Sequence, residues 1–208
     1  MKFRRTIAVG TATLATAMAG VLLVGPQATA RNAEFQAKLR DPSGRVVGTV
    51  KFTTTRYATQ VDARLRPNRN VETNQFHGFH IHANNNPANG KGCVADRRAP
   101  RATWFVSADG HLSADLQDHG DHQGDLPSPL VLSDGTARLT FTTDRIEPGV
   151  LRGRAVVLHA DPDNFGNVPI GDKPTDYVPR DAVAAADLTN RTGNAGDRVA
   201  CGVVRRSW

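Results

Sequence analysis

The seven histidines of this sequence, at 77, 80, 82, 111, 119, 122 and 159, are the residues whose spacing can do chemistry. In His77-Gly78-Phe79-His80-Ile81-His82 an extended backbone sends successive side chains to opposite faces. His80 and His82 then share one face, and His77, Phe79 and Ile81 share the other. Phe79 and Ile81 belong in a core, so His80 and His82 are expected to point outward together and chelate one ion. His77, on the apolar side, is expected to be a buried hydrogen-bonding histidine. An H-x-H pair alone is also compatible with surface decoration. The run from His119 to Asp125 adds two imidazoles and a carboxylate within seven residues, His119, His122 and Asp125. With His111 eight positions upstream, the set becomes three nitrogens and one oxygen, which suits tetrahedral zinc. Its plain alternative is a polar loop that happens to contain histidines. Nitrogen ligation without thiolate suits Cu(II) at the first cluster, and His159, ending an apolar strand, can complete that site.

Short strands must position these groups. Phe35, Ala37 and Leu39 alternate with polar residues, and Asp41-Pro42-Ser43-Gly44 is a turn before a second strand over 46–52. Val61, Ala63 and Leu65 alternate again. Residues 130–132 and 137–141 flank Ser133-Asp134-Gly135 and read as a hairpin. Further strands are expected at 154–159 and 201–204. Only residues 181–187 look helical. Two long regions, 83–127 and 160–198, are rich in Gly, Asn, Asp and Pro and read as functional loops because the first holds three of the seven histidines and the others lie at strand flanks. The pattern as a whole is that of an all-β Greek-key sandwich or barrel of about eight antiparallel strands.

Lys2, Arg4 and Arg5, an uncharged apolar stretch over 7–24 and Ala28-Thr29-Ala30 make residues 1–30 an expected signal peptide. That stretch is too broken by Gly and Thr for a permanent anchor, and no later segment is apolar enough to span a bilayer. The expected location is therefore secreted or in the cell envelope, with one domain over 31–208. Three of the 26 basic residues lie in the leader, leaving 23 against 20 acidic residues, a net charge of +3. With no basic run interleaved with aromatics, nucleic acid is not an expected partner, whereas small anions are. Cys93 and Cys201, an even pair in an exported chain, read as one disulfide.

From about Phe35 to Val204 the chain resembles the copper/zinc superoxide dismutases. The run from Phe76 to His82 is similar to the family's first copper motif, and the run from Gly153 to His159 to the strand bearing its last copper ligand. The resemblance implies copper on His80, His82, His111 and His159, and zinc on His111, His119, His122 and Asp125. It makes His111 the bridge between the metals, His77 a structural histidine, and Asp163 a link between copper and zinc ligands. Most specific is Thr192-Gly193-Asn194-Ala195-Gly196-Asp197-Arg198-Val199-Ala200-Cys201-Gly202-Val203, nearly the family's C-terminal signature. It implies that Arg198 lines the active channel and that Cys201 bonds to Cys93.

The implied activity is disproportionation of superoxide by copper cycling, with His111 and Arg198 as the catalytic residues; the alternative is a non-catalytic copper-binding or copper-delivering sandwich. From the residues alone, Arg198 can also be a surface ion pair with Asp197 or Asp187, and Asp163 a turn residue. Oligomeric state, a homodimer included, leaves no pattern here. The chain departs from the family in two places. Seventeen residues separate Cys93 from His111, more than is common. His119 and His122 are only three apart, so the zinc loop is short and must turn sharply at Gly120 and Gly124.

Overall fold

The computed structural model describes residues 33–69, 71–113, 117–165 and 189–207. The leader expected at 1–30 and the helical turn expected at 181–187 lie outside the described residues. Alternation produces the first three strands, β1 (Ala33–Arg40), β2 (Val46–Thr54) and β3 (Thr59–Leu65). Their inward residues, among them Leu39, Val50, Phe52 and Val61, are fully buried. Asp41 closes the β1–β2 turn, its carboxylate accepting from the Ser43 and Arg45 amides.

The remaining strands are β4 (Gln75–Phe76), β5 (Phe79–His82), β6 (Leu130–Val131), β7 (Ala137–Thr143), β8 (Ala155–His159), β9 (Arg198–Val203) and β10 (Arg205–Arg206), with one turn of helix, α1 (Pro148–Leu151). All pairings are antiparallel, in the order β5-β8-β9-β1-β2-β3-β7, with β10 also on β1 and a separate β4–β6 ribbon. Setting the last long strand beside the first gives the curled Greek-key sandwich expected from the sequence. The hairpin expected across 133–135 is corrected. The turn forms, with Gly135 N–H donating to Leu132 O, but β6 pairs with β4 and β7 with β3. A tight turn fixes local chain reversal only; partners farther along the chain took both strands.

One core fills the curl, with Phe79 and Ile81 from β5 and Val156 and Leu158 from β8 facing into it. On the opposite face, Ala155, Val157 and Cys201 pack with Phe105 and Ala108 from the first long loop. Strands β5, β8 and β9 are therefore covered on both sides. His80 and His82 leave the core as their alternation requires, but they do not face water: each is 0% exposed beneath that loop.

Cys93 and Cys201 are bonded, with Cα atoms 5.5 Å apart and 108 residues of separation. A loop of that length constrains the unfolded chain by about 4.7 kcal/mol in the chain-entropy model. The Cys93→Ala/Cys201→Ala double variant is expected to unfold about 2–5 kcal/mol more easily in urea. An unchanged midpoint would show that loop packing alone holds the two segments.

Candidate metal centre

Strand β5 pairs with β8 along one edge, in the register His80 with Val157 and His82 with Ala155. Its other edge receives residues 110–112 and 124–126. Ala83 N–H donates to Gly110 O, Leu112 N–H to Ile81 O, Ile81 N–H to Gly124 O and Leu126 N–H to Phe79 O. This ladder sets His111 opposite His82 and Asp125 opposite His80. From the β8 side, His159 follows a bulge and lies across from Arg198. Distant parts of the chain thus reach one place through main-chain pairing alone.

Two clusters result. Nitrogens of His80, His82, His111 and His159 lie within 4.8 Å of one another, as do ligand atoms of His80, His111, His119 and Asp125. His122 joins the second cluster, its Nδ1 standing 3.2 Å from Asp125 Oδ2. His80 falls within reach of both because its ring lies against that of His111, with centroids 4.0 Å apart and planes tilted by 34°. Its hydrogen bonding leaves it one free nitrogen. Nε2 of His80 donates to Asp163 Oδ2 at 2.6 Å, leaving buried Nδ1 without a partner. Nδ1 of His82 donates to the Asp109 carbonyl at 2.8 Å, and Nδ1 of His159 to the Gly196 carbonyl at 3.1 Å. Their Nε2 atoms are then left facing each other at 3.4 Å. Nε2 of His111 is also buried without a partner. Pinning one nitrogen of an imidazole to an acceptor fixes the lone pair on the other, which is how proteins orient metal-binding histidines.

Around Asp125 the geometry is that of a second centre. Asp125 Oδ1 lies 2.9 Å from His111 Nδ1, 3.3 Å from His119 Nδ1 and 3.3 Å from His122 Nδ1. The amides of Gly120 and His122 donate to Oδ2 at 2.7 and 3.1 Å. The short loop therefore brings all four expected zinc residues together. Gly120 has a φ of +95°, as the sharp turn requires. Gly124 has no such φ; its glycine is needed because a Cβ there would strike the Ile81 carbonyl on the paired strand. The turn expected at Gly124 also forms, with Asp125 N–H donating to His122 O at 3.2 Å, and it needs no positive φ.

Asp163 joins the two clusters, since Oδ1 is 2.6 Å from His119 Nε2 while Oδ2 holds His80. It is no mere turn residue. His77 has both ring nitrogens against carbonyl oxygens, of His159 at 3.1 Å and Glu72 at 2.9 Å, so it braces the site as a buried hydrogen-bonding residue. Arg198 is half-buried and donates to the Phe105 and Asp109 carbonyls at 2.6 and 2.7 Å. Asp197 pairs instead with Arg101 at 3.7 Å, so it is not the ion-pair partner of Arg198; Asp187, the other partner considered, lies outside the described residues. Asp109 was not singled out from the sequence.

Burial, followed by the neighbouring imidazoles, holds His80 and His82 well below the usual histidine range. Burial also lowers His111 and takes His159 down to about 3. For His119, burial acts downward but is outweighed by Asp125 and Asp163, which raise it to about 9. Asp125 is held far below the carboxylate range because hydrogen bonds and the charges of His111 and His119 outweigh its burial.

The signs define a pH profile for the metal-free protein. The four lowered imidazoles bind fewer protons folded than unfolded, so their contribution to stability is lost as pH falls from about 6.5 toward 3. His119 does the opposite, stabilising below about 6.5 and losing that contribution as pH rises through about 9. Thermal melts in chelator are expected to peak between these flanks, and a melting temperature flat from pH 4 to 9.5 would count against the buried network.

An antiparallel sandwich whose loops bury two adjoining imidazole clusters, each with orphaned lone pairs, is a scaffold for a pair of metal ions. Residues 46–204 match the family model of copper/zinc superoxide dismutase (SODC), and the chain belongs to that family. It is 36% identical over 179 residues to the superoxide dismutase (Cu-Zn) of Mycobacterium tuberculosis, covering 80% of this chain and 68% of that one. The extracellular superoxide dismutase (Cu-Zn) of Brugia pahangi is 30% identical, covering 81% and 73%. A crystal structure of the clock protein EA4 superposes with a TM-score of 0.55 at 25% identity, covering 84% of this chain and 94% of the other. The protein is an oxidoreductase that uses copper and zinc, with superoxide as substrate. Among the described residues, no helix is long and apolar enough to cross a membrane.

Proposed function

We propose that the chain is an exported superoxide dismutase in which His80, His82, His111 and His159 hold copper and His111, His119, His122 and Asp125 hold zinc. The observation that carries this reading is the set of lone pairs left by the hydrogen bonds: Nδ1 of His80 and Nε2 of His82, His111 and His159. Four neutral nitrogens suit copper, and three nitrogens with one carboxylate suit zinc. Copper supplies reversible one-electron chemistry, which d¹⁰ zinc cannot, while zinc supplies fixed charge and geometry.

The residues divide the remaining work. The Arg198 guanidinium, held by two carbonyls, presents a fixed positive charge that draws and orients a small anion. His111 faces both clusters, Nδ1 toward Asp125 and Nε2 toward the other imidazoles, so Nε2 is the atom that takes up and hands on a proton. Overall, two superoxide ions and two protons become dioxygen and hydrogen peroxide. Asp163 and Asp125 keep the imidazoles aimed as protons move.

Export rests on residues 1–30, read as a leader with the catalytic domain over 31–208, and on the Cys93–Cys201 bond, which suits an oxidising compartment. No stable anchor follows the leader in this reading. Metal analysis of the purified chain, together with a superoxide assay, tests the function. About one copper and one zinc per chain with catalytic dismutation is expected; bound copper without turnover would leave the copper-delivery alternative standing.

A further inference from the structure

Asp109 has a φ of 65° and a ψ of −161°, a region of backbone space almost reserved for glycine. Its carbonyl accepts from His82 Nδ1 at 2.8 Å and from Arg198 Nη2 at 2.7 Å. Its carboxylate faces the other way, into the segment that follows β5. There Oδ2 accepts from the Asn85 and Asn86 amides at 2.6 and 2.8 Å, and Oδ1 from Asn89 Nδ2 at 2.9 Å. A side chain that ought to disfavour this backbone is thus the group that anchors it. Arg198's other carbonyl partner, Phe105, also has a positive φ, of 56°, and caps the opposite end of the same short turn, Val106–Ala108. Ser107 ties that turn to both neighbours of Cys93, through Gly92 O at 2.7 Å and Val94 N at 3.0 Å.

We propose that Asp109 is a positioning residue: its carboxylate, clamped by residues 85–89, holds one carbonyl where it aims both His82 and Arg198. The geometry stands without metal, and its catalytic consequence rests on the copper reading above. An anion site depends on where the guanidinium sits. A displacement on the order of 1 Å in a positioning group costs up to about a hundredfold. Alanine at 109 keeps the Cβ but loses the clamp, so the backbone is free to leave this conformation. Glycine also loses the clamp but adopts the conformation without a steric penalty.

Wild type, Asp109→Ala, Asp109→Gly and Asn89→Ala are to be compared in two states. In the metal-free protein, the His82 Nδ1–H should exchange slowly by nitrogen-edited NMR in wild type, rapidly in Asp109→Ala, and slowly again in Asp109→Gly. In the copper- and zinc-loaded protein, Asp109→Ala should bind azide about tenfold more weakly, with an altered Cu(II) EPR spectrum, and Asp109→Gly should recover most of both. Asn89→Ala removes one donor from an exposed side chain and should weaken azide binding about threefold, which keeps the test decisive if Asp109→Ala does not fold. Wild-type exchange and azide affinity in Asp109→Ala and Asn89→Ala overturn the proposal, as does Asp109→Gly impaired as much as Asp109→Ala. Copper uptake is measured separately on wild type, so failure of the dismutase reading is distinguishable from failure of the clamp.

Discussion

Asp125→Ala is expected to lose zinc and about 3–5 kcal/mol of stability, the cost of removing one partner from a buried charged network. The carboxylate side chain is only 1% exposed and is surrounded by Nδ1 atoms of three histidines and two amides. Without it, His119 loses one of the two carboxylates that raise it to about 9, and the Gly120 and His122 amides lose their acceptor. The turn over 119–125 then has nothing to close on. Copper is expected to stay, because none of the nitrogens of His80, His82 and His159 bonds to Asp125. Metal analysis and urea unfolding of the loaded and metal-free variant measure both effects. Wild-type zinc content would show that the three imidazoles suffice.

Arg198→Ala is expected to keep copper and lose about 10²-fold in kcat/KM, on the scale of removing one donor from an anion-stabilising site. Arg198→Glu should lose more, because it repels the anion as well as failing to hold it. Burial lowers the Arg198 pKa against the opposing charge of Asp109, but an arginine so lowered still carries its charge at neutral pH. Steering over a distance adds a second signature. The wild-type rate should fall as salt rises, with most of the fall gone in Arg198→Ala. Steady-state rates from about 10 to 300 mM ionic strength test it, where the screening length shrinks from about 30 Å to under 10 Å. A variant as fast as wild type, with the same salt slope, would leave Arg198 as a brace between Phe105 and Asp109.

Local pattern made the metal-bearing strands legible. Alternation in 77–82 separated His80 and His82 from Phe79 and Ile81, and the structure keeps that separation. The Cys93–Cys201 bond was legible as an even pair in an exported chain, and the resemblance added the place of Asp163, far in sequence from the histidines it joins. The strands at 130–132 and 137–141 were found, yet their pairing was misread, because strand partners depend on edges supplied by β3 and β4.

Residue types and spacing determined which side chains can bind metal and that the chain alternates in short antiparallel strands. Side-chain chemistry and the two-residue period of a strand are properties of neighbours in sequence. Tertiary structure decided which nitrogen of each imidazole is free, since that depends on acceptors at Asp109, Asp163 and Gly196, up to 83 residues away. It also decided that His80 and His82 are buried, because the covering loop is packed against Ala155, Val157 and Cys201. The glycine-like backbone of Asp109 was likewise beyond the sequence: its cost is outweighed only by contacts with residues 85–89, His82 and Arg198, which the folded chain alone assembles.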